Sequence, residues 1–280
     1  MNKGEKAKIK KENDALENYL RYGIDLYKRR IYFGDVAFPD GDEFDFSTIS
    51  YALRAIDKML DINETEPIEL VVSSYGGDPY AMLALMDKIQ QAPCKFIFRG
   101  SGFIMSAATW IMAVCDERYL AENTVIMVHD GWWGNTASST DMTILQDEDK
   151  RLKDMLCKVF ADNSFMSPEF WAKVCQRDLY LTAEETIQLG LADKITSPRK
   201  RGNFRKGVRR KTFSKPPSES KIKKLVTSLY TRIQMEMPKE IVISVRKEEF
   251  EPELPPQPND IEQLEMLGQA EDKKDGAESK

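Results

Sequence analysis

The chain holds a single histidine, His129, in 280 residues. A serine, Ser106, sits at the mouth of the small-residue stretch Gly102-Phe-Ile-Met-Ser106-Ala-Ala-Thr-Trp110. A hydroxyl acts as a nucleophile at neutral pH only beside a base that titrates near the working pH, and imidazole is the usual one. His129 closes the apolar run Thr124-Val-Ile-Met-Val128, so both residues stand where regular structure ends. A serine opening an apolar segment also fits a helix N-cap, and the two readings stay open on these residues alone. Gly76-Gly77 follow the apolar run Ile68–Val72. Such a pair makes a tight turn, and it also lets a peptide N–H approach an oxyanion. In acyl transfer the glycine pair would supply one donor and the amide after the nucleophile, that of Ala107, the second. There is no Gly-x-Gly-x-x-Gly and no Gly-Lys-Ser/Thr, which argues against a phosphate loop.

The elements that must position these groups read as alternating strands and helices. Residues 13–28 carry an imperfect helical period broken by Gly23, and Arg30–Phe33 reads as a short strand. Ile49, Ala52, Leu53, Ile56 and Leu60 mark one face of a helix over 46–61. A strand at Ile68–Val72 leads through the glycine pair to a helix opened by Pro79, a residue suited to a first turn. Strands at Lys95–Phe98, Arg118–Leu120 and Val125–His129 follow, with a helix starting at Ser106. The alternation predicts an α/β fold with a mainly parallel sheet, in which functional groups gather at the carboxyl ends of strands. The Gly-Gly turn, Ser106 and His129 all follow strand ends.

Composition narrows the class. The formal net charge is −5 and 31% of residues are charged. No apolar run approaches the ~20 residues needed to span a bilayer. No signal-type stretch follows the basic N-terminus, and Cys94, Cys115, Cys157 and Cys175 have neither Cys-x-x-Cys spacing nor histidine neighbours. These features lead us to expect a cytoplasmic protein with reduced thiols, no membrane partner, no metal and no organic cofactor.

From about Leu16 to Ile195 the sequence resembles ClpP, the proteolytic subunit of the ATP-dependent Clp serine proteases. The family's Ser-Pro-Gly-Gly stands here as Ser74-Tyr-Gly-Gly77, and its Gly-x-x-x-Ser-Met-Gly as Gly102-Phe-Ile-Met-Ser106-Ala-Ala108. Its histidine motif matches Asn123–His129, its Arg-Asp-x-Phe-Leu-Ser-Ala matches Arg177-Asp-Leu-Tyr-Leu-Thr-Ala183, and its Gly-Leu-Val-Asp matches Gly190–Asp193. The resemblance implies a ClpP/crotonase-type fold of stacked βαβ units, with Ser106 as nucleophile, His129 as base and Asp178 as the orienting acid. It also implies an oxyanion hole from the Gly76 and Ala107 amides, with Gly77 beside the substrate. Read without the motif, Asp178 is a surface carboxylate next to Arg177; Asp130 competes for its role, although neighbouring strand residues point apart. Thr182-Ala-Glu-Glu185 offers a capping box for the helix that follows.

As partners the resemblance implies a peptide or unfolded-protein substrate and a homo-oligomeric ring, in the family two stacked heptamers. A separate hexameric (AAA+) ATPase is in doubt, because Glu69 and Val71 stand where the family tends to have cleft-lining tyrosines. Trp132-Trp133 follows the histidine as a packing or interface pair. The sequence divides into a charged arm (1–12), the protease-like domain (13–197), a basic linker (198–221), a small docking module (222–247) and an acidic, Pro-containing disordered tail (248–280). Twelve basic residues and one acid, Glu219, lie between Arg199 and Lys224; a solvated linker is favoured there over a nucleic-acid contact. The function expected is serine endopeptidase. The alternatives are a phage head-maturation or scaffold-associated protease, a non-catalytic ring subunit and a crotonase-like acyl-CoA enzyme.

Overall fold

The computed structural model describes residues 15, 17, 19–34, 44–129, 131, 138–196, 210–212, 217–238 and 241, all within the unit Met1–Arg246. The helical period expected across 13–28 stops at Tyr22. Gly23 takes φ 63° and donates its N–H to Tyr19 O at 3.1 Å, ending the helix in the left-handed conformation glycine adopts at little steric cost. The chain then forms a short antiparallel pair, β1 (Ile24–Asp25) and β2 (Arg30–Gly34).

Helix α1 (Phe46–Ile62) is capped by the Asp45 side chain and buries Ile49, Ala52, Ile56 and Met59, three or four residues apart on one face. Strand β3 (Ile68–Ser74) buries every second residue, and α2 (Pro79–Gln91) starts on the Asp78 cap with Pro79 in its first turn. Strand β4 (Phe96–Met105) leads into α3 (Ala108–Val114), whose residues Ala108–Ala113 are all buried. Strands β5 (Glu117–Ala121) and β6 (Val125–Val128) precede the long α4 (Ser139–Asp162) and the short α5 (Pro168–Val174). Strand β7 (Leu179–Thr182), α6 (Ala183–Gln188), β8 (Lys194–Thr196), β9 (Arg210–Thr212) and α7 (Glu219–Arg232) complete the described chain.

The sheet runs β1-β2-β3-β4-β5-β8-β9, and β6 branches from β4 to carry β7. The pairs β2–β3, β3–β4, β4–β5, β4–β6 and β5–β8 are parallel, so the α/β class with a mainly parallel sheet is borne out. The strand expected to close at Phe98 instead runs on to Met105. Its partners on β3 jump from Val72↔Gly100 to Ser74↔Ile104, leaving Ser101 and Gly102 exposed in a bulge. A bulge bends a strand and increases its local twist. The two halves of β4 accordingly pair with different neighbours, Ile97–Gly100 with β5 and Phe103–Met105 with β6.

At the tail, the basic stretch expected as a linker contributes β9, paired antiparallel with β8, and the boundary drawn at 222 falls inside α7. Residues 1–12 and 248–280 lie outside the described residues. A buried guanidinium ties the later elements together. Arg118 on β5 is fully buried and reaches Asp193 at 2.7 and 3.0 Å, the Asn163 carbonyl at 2.8 Å and the Gly190 carbonyl at 3.2 Å. Removing one partner of such a pair strands a charge away from water. We expect Asp193→Ala to destabilise the fold by about 3 kcal/mol, read as a lower urea midpoint at unchanged slope.

Candidate active site

Ser106 occupies the sharp turn from β4 into α3. Its φ of 52° is in the left-handed region, uncommon for a residue with a side chain and often found where function holds the backbone under strain. Its N–H donates to Met127 O at 2.9 Å on the adjoining strand, and its carbonyl accepts from the Thr109 N–H at 2.9 Å and the Thr109 hydroxyl at 2.6 Å. The N-cap position of α3 belongs to Ala107, which makes no side-chain cap. The capping alternative for Ser106 therefore has no bond to support it, and its hydroxyl is turned to another partner.

That partner is His129. Strands β4 and β6 run parallel with Met105 beside Met127, so the residues just past their ends rise together. His129 Nε2 lies 2.7 Å from Ser106 Oγ. On the other edge of β6, Val128 faces Leu179 of the antiparallel β7. The next pair along that ladder is His129 and Asp178. The Nδ1 of His129 stands 3.7 Å from Asp178 Oδ1, with the histidine side chain 15% exposed and the aspartate 61%. At that distance the pair is a Coulombic contact rather than a hydrogen bond. Asp130, the competing acid, and the Trp132-Trp133 pair lie outside the described residues.

The glycine turn closes on the same place. Gly76 has φ 108°, and a Cβ there would lie 2.8 Å from Ser106 Cβ and 3.0 Å from the Ala107 nitrogen. The absence of a side chain is what lets the two loops touch. The Ala107 N–H bonds to no acceptor among the described residues. The Gly76 N–H, by contrast, donates to the buried Ser74 Oγ at 3.0 Å, so of the two expected oxyanion donors one is already engaged. Gly77 makes its close approach to the backbone of Phe44, where a Cβ would sit 2.6 Å from the Phe44 carbonyl oxygen.

Three neighbours of the site make contacts that sequence reasoning did not assign. Ser74 holds the Gly76 amide, Thr109 secures the Ser106 turn, and the ring of Tyr75 stacks on Phe103 at 4.1 Å beside the glycine loop. The small polar residue before the glycines and the aromatic in place of the family's proline were the available signals. The cysteines are all buried, and burial pushes the Cys115 thiol far above its ordinary range. Among the described residues no cluster of His, Cys, Asp and Glu has the makings of a metal site. No helix among them is long and apolar enough to cross a membrane.

The Clp protease family model matches residues 47–199, just over half of the chain. The chain is 33% identical over 132 residues to an ATP-dependent Clp protease proteolytic subunit 2 of Pseudomonas aeruginosa, covering 46% of this chain and 66% of that protein. It is 27% identical over 150 residues to a subunit of the same name from Treponema denticola, covering 53% of this chain and 75% of the other. The chain thus spans just under two thirds of the first relative's length.

A methyl group at Gly76 would collide with Ser106 and the Ala107 amide. We expect Gly76→Ala to lower reaction with a fluorophosphonate probe at least ~100-fold, the scale of losing an oxyanion donor, while circular dichroism stays that of the parent.

Proposed function

Since the chain belongs to the Clp protease family, we propose that it is a serine endopeptidase whose nucleophile, base and acid are Ser106, His129 and Asp178. The observation that carries this is the 2.7 Å approach of the only histidine in the chain to the hydroxyl of a serine in a left-handed turn. With Nε2 accepting the Ser106 proton, the ring's own proton sits on Nδ1 and faces Asp178.

Ser106 Oγ attacks the peptide carbonyl as its proton passes to Nε2. The Ala107 N–H meets the oxygen on which negative charge develops, and the Gly76 N–H joins it if its bond to Ser74 is exchanged for one to substrate. The imidazolium then protonates the leaving amine, and water admitted in its place hydrolyses the acyl-enzyme by the reverse proton path. Asp178 stabilises the imidazolium. At 3.7 Å the contact is Coulombic, and catalytic hydrogen bonds often tighten only on the reaction path. The chemistry needs no metal and no organic cofactor.

Peptide or unfolded-protein substrates, a homo-oligomeric ring and cytoplasmic location come with the family and belong to this proposal. For an ATPase partner, the local chemistry points away from an apolar seat at one position. Glu69 lies between Arg30 at 2.6 Å and Arg99 at 2.6 and 2.8 Å on the half-exposed face of β3. Burial pushes this carboxyl up, but hydrogen bonds and charge from Arg99 and Arg30 outweigh it and hold it below the usual carboxylate range.

A fluorophosphonate probe should label the wild-type protein on Ser106, as mapped by mass spectrometry. His129→Ala should abolish labelling, and Asp178→Asn should slow peptide hydrolysis roughly a thousandfold or more. Wild-type protein that takes no label would refute the assignment.

A further inference from the structure

We propose that Arg232, on the helix beyond the region matched by the family, is a positioning residue for Asp178. The proposal rests on the role given to Asp178 above. Strand β7, which begins one residue after Asp178, is four residues long and has β6 as its only strand partner among the described residues. A short edge strand has few backbone bonds to hold it. Two of its residues are nevertheless tied to a single guanidinium. Arg232 Nη1 donates to the Tyr180 carbonyl at 2.8 Å, and Nη2 reaches Glu185 Oε1 at 2.5 Å. Glu185 Oε2 in turn accepts the Thr182 N–H at 2.8 Å as the return half of the capping box of α6. One side chain therefore restrains the middle of β7 directly and its last residue through Glu185.

The helix that presents Arg232 is itself anchored. Ile222, Leu225, Val226 and Leu229 recur at helical spacing and are buried in the same core cluster as the sheet. Tyr230 is buried and packs toward Phe170 on α5 with ring centroids 6.3 Å apart. Burying this stripe fixes the helix, and Arg232 follows it in the last turn, 39% exposed against 18% for Glu185. A planar guanidinium serves this purpose better than an ammonium, because its fork reaches a carbonyl and a carboxylate at once.

The ladder gives the mechanical link. Leu179 pairs with Val128, so Asp178 and His129 are the next positions out on β7 and β6. Asp178 is largely exposed and its carboxylate accepts no hydrogen bond from the described residues, so the path of β7 is what holds it near Nδ1 at 3.7 Å. A shift of β7 along or away from β6 moves the acid relative to the imidazole. Displacements of about 1 Å at a catalytic group cost on the order of 100-fold in rate.

The test uses the full-length chain with Arg232→Ala, Arg232→Lys, Glu185→Gln and Asp178→Ala. Each is read by the rate of fluorophosphonate labelling, by thermal midpoint and by 15N magic-angle-spinning spectra of histidine-labelled protein. His129 is the only histidine, so its ring nitrogens give one assignable signature in an assembly of any size. R232A should slow labelling roughly 10- to 100-fold and move the Nδ1 resonance in the direction that D178A moves it. R232K, which keeps the charge but has one nitrogen in place of the fork, should restore part of both. Glu185→Gln is a milder change that should shift both readouts the same way by less, so the comparison survives an R232A chain that does not fold. A lowered thermal midpoint with labelling rate and Nδ1 resonance unchanged would make Arg232 a stabilising contact only and overturn the proposal. If D178A itself leaves rate and resonance untouched, the acid has been misassigned and the proposal falls with that reading. If D178A moves them and R232A does not, the positioning role alone is wrong.

Discussion

The site depends on one strand having two different neighbours on the same side. Strand β4 pairs with β5 along Ile97–Gly100 and with β6 along Phe103–Met105. The bulge at Ser101-Gly102 lies between the two paired segments and bends the strand there. Gly100 sits against Leu120, Phe98 and Ile104, where a Cβ would lie 2.8 to 3.1 Å from their side chains, and Thr124 donates to the Gly100 carbonyl at 3.3 Å across the fork. Once β6 lies beside the second half of β4, the ends of the two strands must be adjacent. Ser106 and His129 then meet through backbone register, before any side-chain preference operates. The antiparallel addition of β7 brings Asp178 by the same logic.

Strain and rigidity are distributed unevenly around this arrangement. The left-handed backbone of Ser106 is unfavourable by itself, on the order of 1–3 kcal/mol. It is held by the Met127 carbonyl on one side, by Thr109 on the other, and by a helix whose first six residues are buried. Asp178 has no such setting. It is exposed, just before a strand of four residues, and lies farther from the His129 ring than a hydrogen bond reaches. Ser106 and His129 are thus fixed by the middle of the fold, while Asp178 is fixed at its edge, where the α6 capping box and Arg232 are attached.

This division gives the chain beyond residue 199 a structural place. Its basic residues at 210–212 extend the sheet past β8, and the apolar stripe of α7 joins the core cluster. Charge density alone read this stretch as solvated, because composition counts Lys and Arg without registering which backbone groups find partners. The helix was visible as the spacing of Ile222, Leu225, Val226 and Leu229, but spacing does not say which surface an apolar stripe will cover.

By itself the sequence determined the alternation of strands and helices, the glycine turn, the capping box at Thr182–Glu185, and the three residues whose motifs carry the family resemblance. Those features are local: periodicity, turn chemistry and short spacings are written in neighbouring residues. Tertiary structure alone decided that β4 runs through its glycines instead of ending before them, and that Ser106 turns its hydroxyl to His129 instead of capping α3. It also decided that the Gly76 amide is held by Ser74 and that the side chain of Arg232 reaches β7. Each of these depends on which strand lies beside which, or on contacts between residues far apart in the chain. A bulge, a left-handed serine and an edge carbonyl acquire partners only when distant segments pack, and no pattern within one segment encodes them.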